Sequence, residues 1–186
     1  MIDRSVAVAA SVSDGVVVVV PATQVAHETQ IFTAPIAVVA GGATRSASVR
    51  AGLAAVADEA TIVCVHDAAR PFASVELYRS VVAAVAAGAD GVVPGVPVTD
   101  TIKIVADDGT VQATPQRDRL VAVQTPQGFR ASALRSAHAG AADGTDDAAL
   151  VEAAGGRVVV VAGEADNRKV THPDDLQWAR AVAALR

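Results

Sequence analysis

Thr61-Ile62-Val63-Cys64-Val65-His66-Asp67-Ala68-Ala69-Arg70-Pro71 is the stretch that decides the fold. Its first five residues are apolar or β-branched and predict a short strand. The run then breaks into a base, an acid and a guanidinium. That break places charged side chains at the carboxyl edge of a strand, where open α/β sheets bind their ligands. Similar apolar runs at 16–20, 36–40, 91–98, 120–124 and 157–162 predict further strands, several buried on both faces. Helical patterns lie between them, at 44–57, 74–87, 130–137, 146–154 and 173–185. Ser74 is placed to cap one helix, and Pro173 suits the first position of the last. The alternation predicts an α/β fold with a mostly parallel sheet and helices on both faces.

One segment departs from the alternation. Residues 101–114 form two alternating runs around Asp108-Gly109, the signature of a β-hairpin. A hairpin inserted into such a domain projects as an arm, here 99–119. Its exposed edge and apolar side chains call for cover by a second subunit. The start is also irregular. Residues 2–12 read as the end of a helix and Val16 as the second strand of a fold.

Composition narrows the function. The chain has 186 residues, 52% hydrophobic, 3% aromatic and 19% charged. That predicts a single domain, 1–186, with a core of small and β-branched side chains. A net charge of -5 argues against a sequence-independent nucleic-acid binder. No apolar run approaches a membrane span, and 6–12 is too short for a signal peptide, so a cytoplasmic location is expected. The one cysteine, Cys64, excludes an internal disulfide and reads as an inert core thiol. His27, His138 and His172 show no metal-ligand spacing.

Five further strings carry chemistry, each with a plain structural alternative. Gly41-Gly42-Ala43-Thr44-Arg45-Ser46-Ala47-Ser48-Val49 joins a strand to a helix; it is an anion or base-edge site, or a tight turn and a capped helix. Asp100-Thr101-Ile102-Lys103 opens the hairpin and Arg117 and Arg119 follow it. An Arg fork near a Thr hydroxyl suits a phosphate monoester, and solvated surface charge explains it equally. Gln124-Thr125-Pro126-Gln127 reads as a strand-edge hydroxyl or an exit turn. Gly144-Thr145-Asp146-Asp147 reads first as an N-cap with acids in the first turn. Asp166-Asn167-Arg168-Lys169-Val170-Thr171 sets one of only two lysines, Lys169, at a sheet edge. Within the opening stretch, Asp67 is the best metal or hydroxyl ligand, with Arg70 to orient it; both could equally serve capping and pairing.

Together these strings resemble the 2-C-methyl-D-erythritol 4-phosphate cytidylyltransferase family, over nearly the whole chain. The Ala68-Ala69 pair favours this family over the related ribitol phosphate cytidylyltransferases. The resemblance implies a Rossmann-like nucleotidyltransferase fold and a homodimer with interlocking hairpin arms. It implies attack by the 4-phosphate of methylerythritol phosphate on the α-phosphorus of CTP, releasing pyrophosphate. It places Mg²⁺ at Asp67. It assigns Gly41, Gly42, Ser48, Asp67 and Ala68 to the nucleotide. Thr101, Thr125, Thr145 and Arg70 go to the polyol phosphate, and Arg117 and Lys169 act with Asp67 in catalysis. Arg117 and Thr101 would reach the partner subunit's site. Family members also carry an early strand and a Gly-rich triphosphate loop with an Arg and a Lys, which the residues before Val16 do not contain. About 40 to 50 residues of a first βα unit are therefore expected to be absent, and the chain as written is expected to be inactive. A non-catalytic dimeric remnant that binds an anion or a partner is the competing class.

Overall fold

The computed structural model describes residues 1–32, 35–140 and 143–184. In chain order the strands are β1 (Val16–Val20), β2 (Ile36–Ala40), β3 (Ile62–Val65), β4 (Gly91–Pro97), β5 (Ile104–Val105), β6 (Val111–Ala113), β7 (Val121–Val123), β8 (Gln127–Arg130) and β9 (Val158–Ala162). The helices are α1 (Ile2–Ala10), α2 (Val25–Ile31), α3 (Arg45–Ala54), α4 (Val75–Ala86), α5 (Ala131–Ala137), α6 (Asp147–Ala153) and α7 (Pro173–Ala184).

Five consecutive valines, stiff at χ1 and poor in a helix, make β1. It pairs in parallel with β2, Val16 opposite Ile36. The larger sheet runs β3-β8-β4-β7, with β9 also on β4. Strand β9 is parallel to β4, and β8 lies antiparallel to both β3 and β4. Hence β3, β4 and β9 point the same way, and the loops after β3 and β9 leave from one edge. Helix α1 joins the two sheets. Its Val6 packs with Val18, Val20 and Phe32, while its Val8 and Ala9 meet Leu77 and Tyr78 of α4. The main core gathers Phe129, Leu134, Val93, Ala148 and Val151, and Leu53 of α3 packs against it.

The helix starts follow local chemistry. Thr44, Ser74 and Asp146 each accept a hydrogen bond from the backbone N–H three residues on, capping α3, α4 and α6. Pro173 stands at the first position of α7, where its missing N–H costs nothing; residue 185, expected in this helix, lies outside the described residues. The hairpin forms around Gly109, whose φ of +83° most side chains avoid. Its strands are shorter than the alternation predicts. Two elements were not predicted, α2 and β8. No helix among the described residues is long and apolar enough to cross a membrane.

Cys64 faces α4 beside Val81, Val85 and Val92, and burial pushes its thiol up to about 12. With so little thiolate at neutral pH, the folded chain is expected to be silent to Ellman's reagent and to show its thiol only on denaturation. A rapid reaction in the native state would contradict this packing.

Candidate active site

Three loops meet at the carboxyl edge of the larger sheet. The loop after β3 carries His66, Asp67 and Arg70; the bend before β8 carries Gln124 and Thr125; the loop after β9 carries Asn167 and Lys169. The Asp67 carboxylate is held from two sides. Lys169 Nζ stands 2.7 Å from Oδ2, and the Ala69 N–H donates to Oδ1 at 3.0 Å. Burial works to raise the Asp67 pKa, but Lys169, the Ala69 N–H and the nearby Arg70 outweigh it and hold it below the usual range. Arg70, partly buried, sends Nη1 to the Asn167 carbonyl at 2.8 Å and Nη2 to the Val123 carbonyl at 3.3 Å. It therefore ties its own loop to the loop after β9 and to the end of β7 rather than pairing with an acid. The Val170 N–H donates to the Ala69 carbonyl at 2.8 Å.

Beneath this surface lies a buried polar layer. Asn167 donates Nδ2 to the Thr125 carbonyl at 2.8 Å and contacts Gln124 Oε1 at 3.3 Å. Gln124 bonds the backbone N–H and carbonyl of Glu164. Thr125 Oγ1 accepts from the Asp67 N–H at 3.0 Å and lies 3.1 Å from His66 Nδ1. Burial lowers the His66 pKa to about 4, so the ring is neutral near pH 7. Thr125, Asp67, Arg70 and Lys169, predicted as site residues from three separate strings, are brought together here. Ala68 sits exposed at the tip of the same loop.

The Gly41-Gly42 turn follows β2. Ser48 Oγ accepts from the Gly42 N–H at 3.1 Å and donates to the Thr44 carbonyl at 3.0 Å, folding the turn over the start of α3. A Cβ on Gly42 would lie 2.5 Å from Ala47 Cβ and 3.1 Å from its carbonyl carbon, both fixed by the helix. Gly42→Ala is therefore expected to displace the turn and cost about 1 to 3 kcal/mol, as overpacking does. Urea unfolding with an unchanged midpoint would show that the turn yields freely.

A buried ion cluster secures this turn to α6, and sequence reading missed it. Asp147, fully buried, receives Arg45 Nη2 at 2.6 Å on one oxygen and His138 Nε2 at 2.9 Å on the other. Asp146, not Asp147, is the helix cap, and it also accepts from Gln127 Nε2 at 2.7 Å. The Gly144 N–H donates to Ser46 Oγ at 3.3 Å, and Thr44 Oγ1 donates to Asp143 at 3.0 Å. Only the exclusion of Asp147 from the cap, beside a second acid that fills it, could have signalled an inward carboxylate. His138 meets the Asp147 carboxylate in a hydrogen bond rather than at a metal site. Among the described residues no group of three or more His, Cys, Asp or Glu could hold a metal by itself.

The remaining predicted residues lie elsewhere in the chain. Arg117 donates Nη1 to the Thr99 carbonyl at 2.7 Å, at the root of the arm, beside an open hollow of about 430 Å³. Thr101 is exposed where the arm begins, and Lys103 spans the arm to Thr114. Thr145 is exposed at the start of α6.

The chain is similar to known proteins along nearly its whole length. A family profile described as IspD, 2-C-methyl-D-erythritol 4-phosphate cytidylyltransferase, matches residues 1–184. A protein of that name from Rhodococcus jostii is 52% identical over 171 residues, covering 91% of this chain and 75% of the relative. A bifunctional enzyme IspD/IspF from Oleidesulfovibrio alaskensis is 54% identical over 143 residues; the match covers 74% of this chain and only 36% of the relative. The crystal structure of 4-diphosphocytidyl-2C-methyl-D-erythritol synthase from Anaerococcus prevotii superposes with a TM-score of 0.90 at 30% identity. That match covers 98% of this chain and 88% of the other.

Proposed function

This chain belongs to the 2-C-methyl-D-erythritol 4-phosphate cytidylyltransferase family, and from that premise we propose that its site serves transfer of a cytidylyl group from CTP to methylerythritol phosphate. The observation that carries the reading is the Lys169–Asp67 pair, a cation and an anion 2.7 Å apart at the edge where three loops converge. Lys169 and Arg70 offer positive charge for a phosphate monoester, and Asp67 offers a carboxylate for a hydroxyl or a metal. In the proposed step a 4-phosphate oxygen attacks the α-phosphorus of CTP as the bond to pyrophosphate breaks. No covalent enzyme intermediate is needed, so the residues contribute by positioning and by neutralising charge. Mg²⁺, which neutralises phosphate charge, suits a single protein carboxylate supplemented by substrate phosphates, and Asp67 is the residue that would hold it. The Gly41-Gly42 turn and Ser48, with Ala68, form the nucleoside side of the site.

We assign Arg117 and Thr101 to the site of a second copy in a cytoplasmic homodimer. Two observations support this. Arg117 is anchored on the arm and not among the three loops. The arm also leaves Ile104, Val105 and Val111 about half exposed, at 49%, 56% and 53%, more apolar surface than a projecting hairpin carries without a partner.

The polyol phosphate half of the site lies on described residues, so binding tests the reading. Calorimetry is expected to show saturable binding of methylerythritol phosphate, with ribitol 5-phosphate weaker. Equal binding of the two would favour the ribitol class, and no binding of either would overturn the assignment.

A further inference from the structure

The contact between Thr125 and His66 has a direction fixed by what each neighbouring atom can donate or accept. His66 Nε2 stands 3.1 Å from the Arg70 carbonyl oxygen. A carbonyl can only accept, so Nε2 carries the hydrogen. In the neutral ring Nδ1 is then bare and can only accept. Thr125 Oγ1, 3.1 Å from Nδ1, must supply its hydroxyl hydrogen there. The same oxygen already accepts from the Asp67 N–H at 3.0 Å. A directed series results, from the Asp67 N–H to Thr125 Oγ1, from the Thr125 O–H to His66 Nδ1, and from His66 Nε2–H to the Arg70 carbonyl. The ring is further seated against Tyr78, with centroids 5.7 Å apart.

We infer that His66 is a positioning residue: held as the Nε2–H tautomer, it takes the Thr125 hydroxyl hydrogen and so fixes the Asp67 backbone beneath the carboxylate that faces Lys169. Thr125 then has no hydrogen to donate to a substrate phosphate. Its role is that of a strut, not the substrate contact the sequence led us to expect. The inference rests on the proposed function only in giving the Asp67 carboxylate a substrate to meet; the direction of the bonds belongs to the ligand-free chain.

The experiment is long-range ¹H–¹⁵N correlation on the ligand-free chain labelled at histidine nitrogen, at neutral pH. The His66 signals are identified by their loss in His66→Gln. We expect Nε2 in the protonated range and Nδ1 in the unprotonated range. Thr125→Val is expected to move the Nδ1 resonance, which loses its donor, and Thr125→Ser to restore it. His66→Gln can still donate to the Arg70 carbonyl but leaves Thr125 without its acceptor. It is expected to speed amide exchange at Asp67 about tenfold, the effect of one weakened hydrogen bond. His66→Asn, which offers an acceptor near the Nδ1 position, is expected to recover part of that protection. A protonated Nδ1 in the unsubstituted chain, or an Nδ1 resonance indifferent to Thr125→Val, overturns the inference. The first of these is read on the unsubstituted chain, with a variant used only to assign the signals, and neither depends on methylerythritol phosphate being the substrate.

Discussion

Replacing Asp147 with Ala is expected to remove about 3 kcal/mol of stability, a large fraction of what a domain of this size possesses. The carboxylate is fully buried and binds two groups at once. Breaking a buried pair from one side costs about 3 to 5 kcal/mol, because a desolvated partner is left behind. The two partners share that cost unequally. Arg45 is 43% exposed in its side chain and can turn to water, whereas the His138 side chain is 2% exposed and cannot. The lower end of the range follows. Asp147→Asn keeps the volume and an acceptor for His138 while losing the charge facing Arg45, so it should lose roughly half as much. Urea unfolding of the three chains measures this. A loss below about 0.5 kcal/mol for the Ala variant would mean that the cluster contributes no more than a surface pair. The effect should also be local. Arg45 opens α3 directly after the Gly41-Gly42 turn, so hydrogen exchange in residues 41–48 should rise before it rises in β4 or β9.

The parts of this architecture that the sequence revealed are those set by neighbouring residues. Five valines in a row are read as a strand whatever surrounds them. Asp108-Gly109 sets its turn by the φ that Gly allows, and Thr44, Ser74 and Asp146 cap their own helices. The parts that were hidden depend on distant contacts. Gln127–Arg130 follows a proline, contains a glycine and has polar ends, so it reads as a turn. It is a strand because β3 and β4 offer it edges to pair with on both sides, a tertiary preference that overrides propensity. Helix α2 has no side-chain cap and no buried residue, so no periodic signal marks it. Asp67 and Lys169 were legible because each lies in a short string after a strand-like run, and the strand order carries both to one edge. The bond between Asp147 and Arg45, 102 residues apart, leaves no trace in spacing. Nor does the direction of the Thr125–His66 bond, which depends on a carbonyl that only the folded loop presents.

The largest effects on ligand binding are expected at Lys169 and Arg117. The Lys169 ammonium is 49% exposed and its Asp67 partner 33%, so the pair contributes at most about 1 kcal/mol to folding. Lys169→Ala should therefore barely move the unfolding midpoint. Its effect on a dianionic ligand should be far greater, because a hydrogen bond to a charged group is worth about 1.5 to 3 kcal/mol. That corresponds to a rise of roughly 10- to 150-fold in Kd for methylerythritol phosphate. Arg117→Ala should weaken binding by a similar factor, since its fork can give two charge-assisted bonds to one phosphate. Arg117→Lys should recover only part of this, because an ammonium cannot reproduce the fork. The two residues differ in which subunit they serve under the shared-site reading. A dimer that combines one Arg117→Ala chain with one Lys169→Ala chain places the intact Lys169 opposite the intact Arg117 in one site and both lesions in the other. Calorimetry on such mixed dimers should recover one tight site per dimer, although each parent alone has none. If both residues instead act within one chain, every site in the mixture carries one lesion and no tight binding returns. That outcome, with subunit exchange verified independently, would reject the arm's part in the neighbouring site while leaving Lys169 and Asp67 in place.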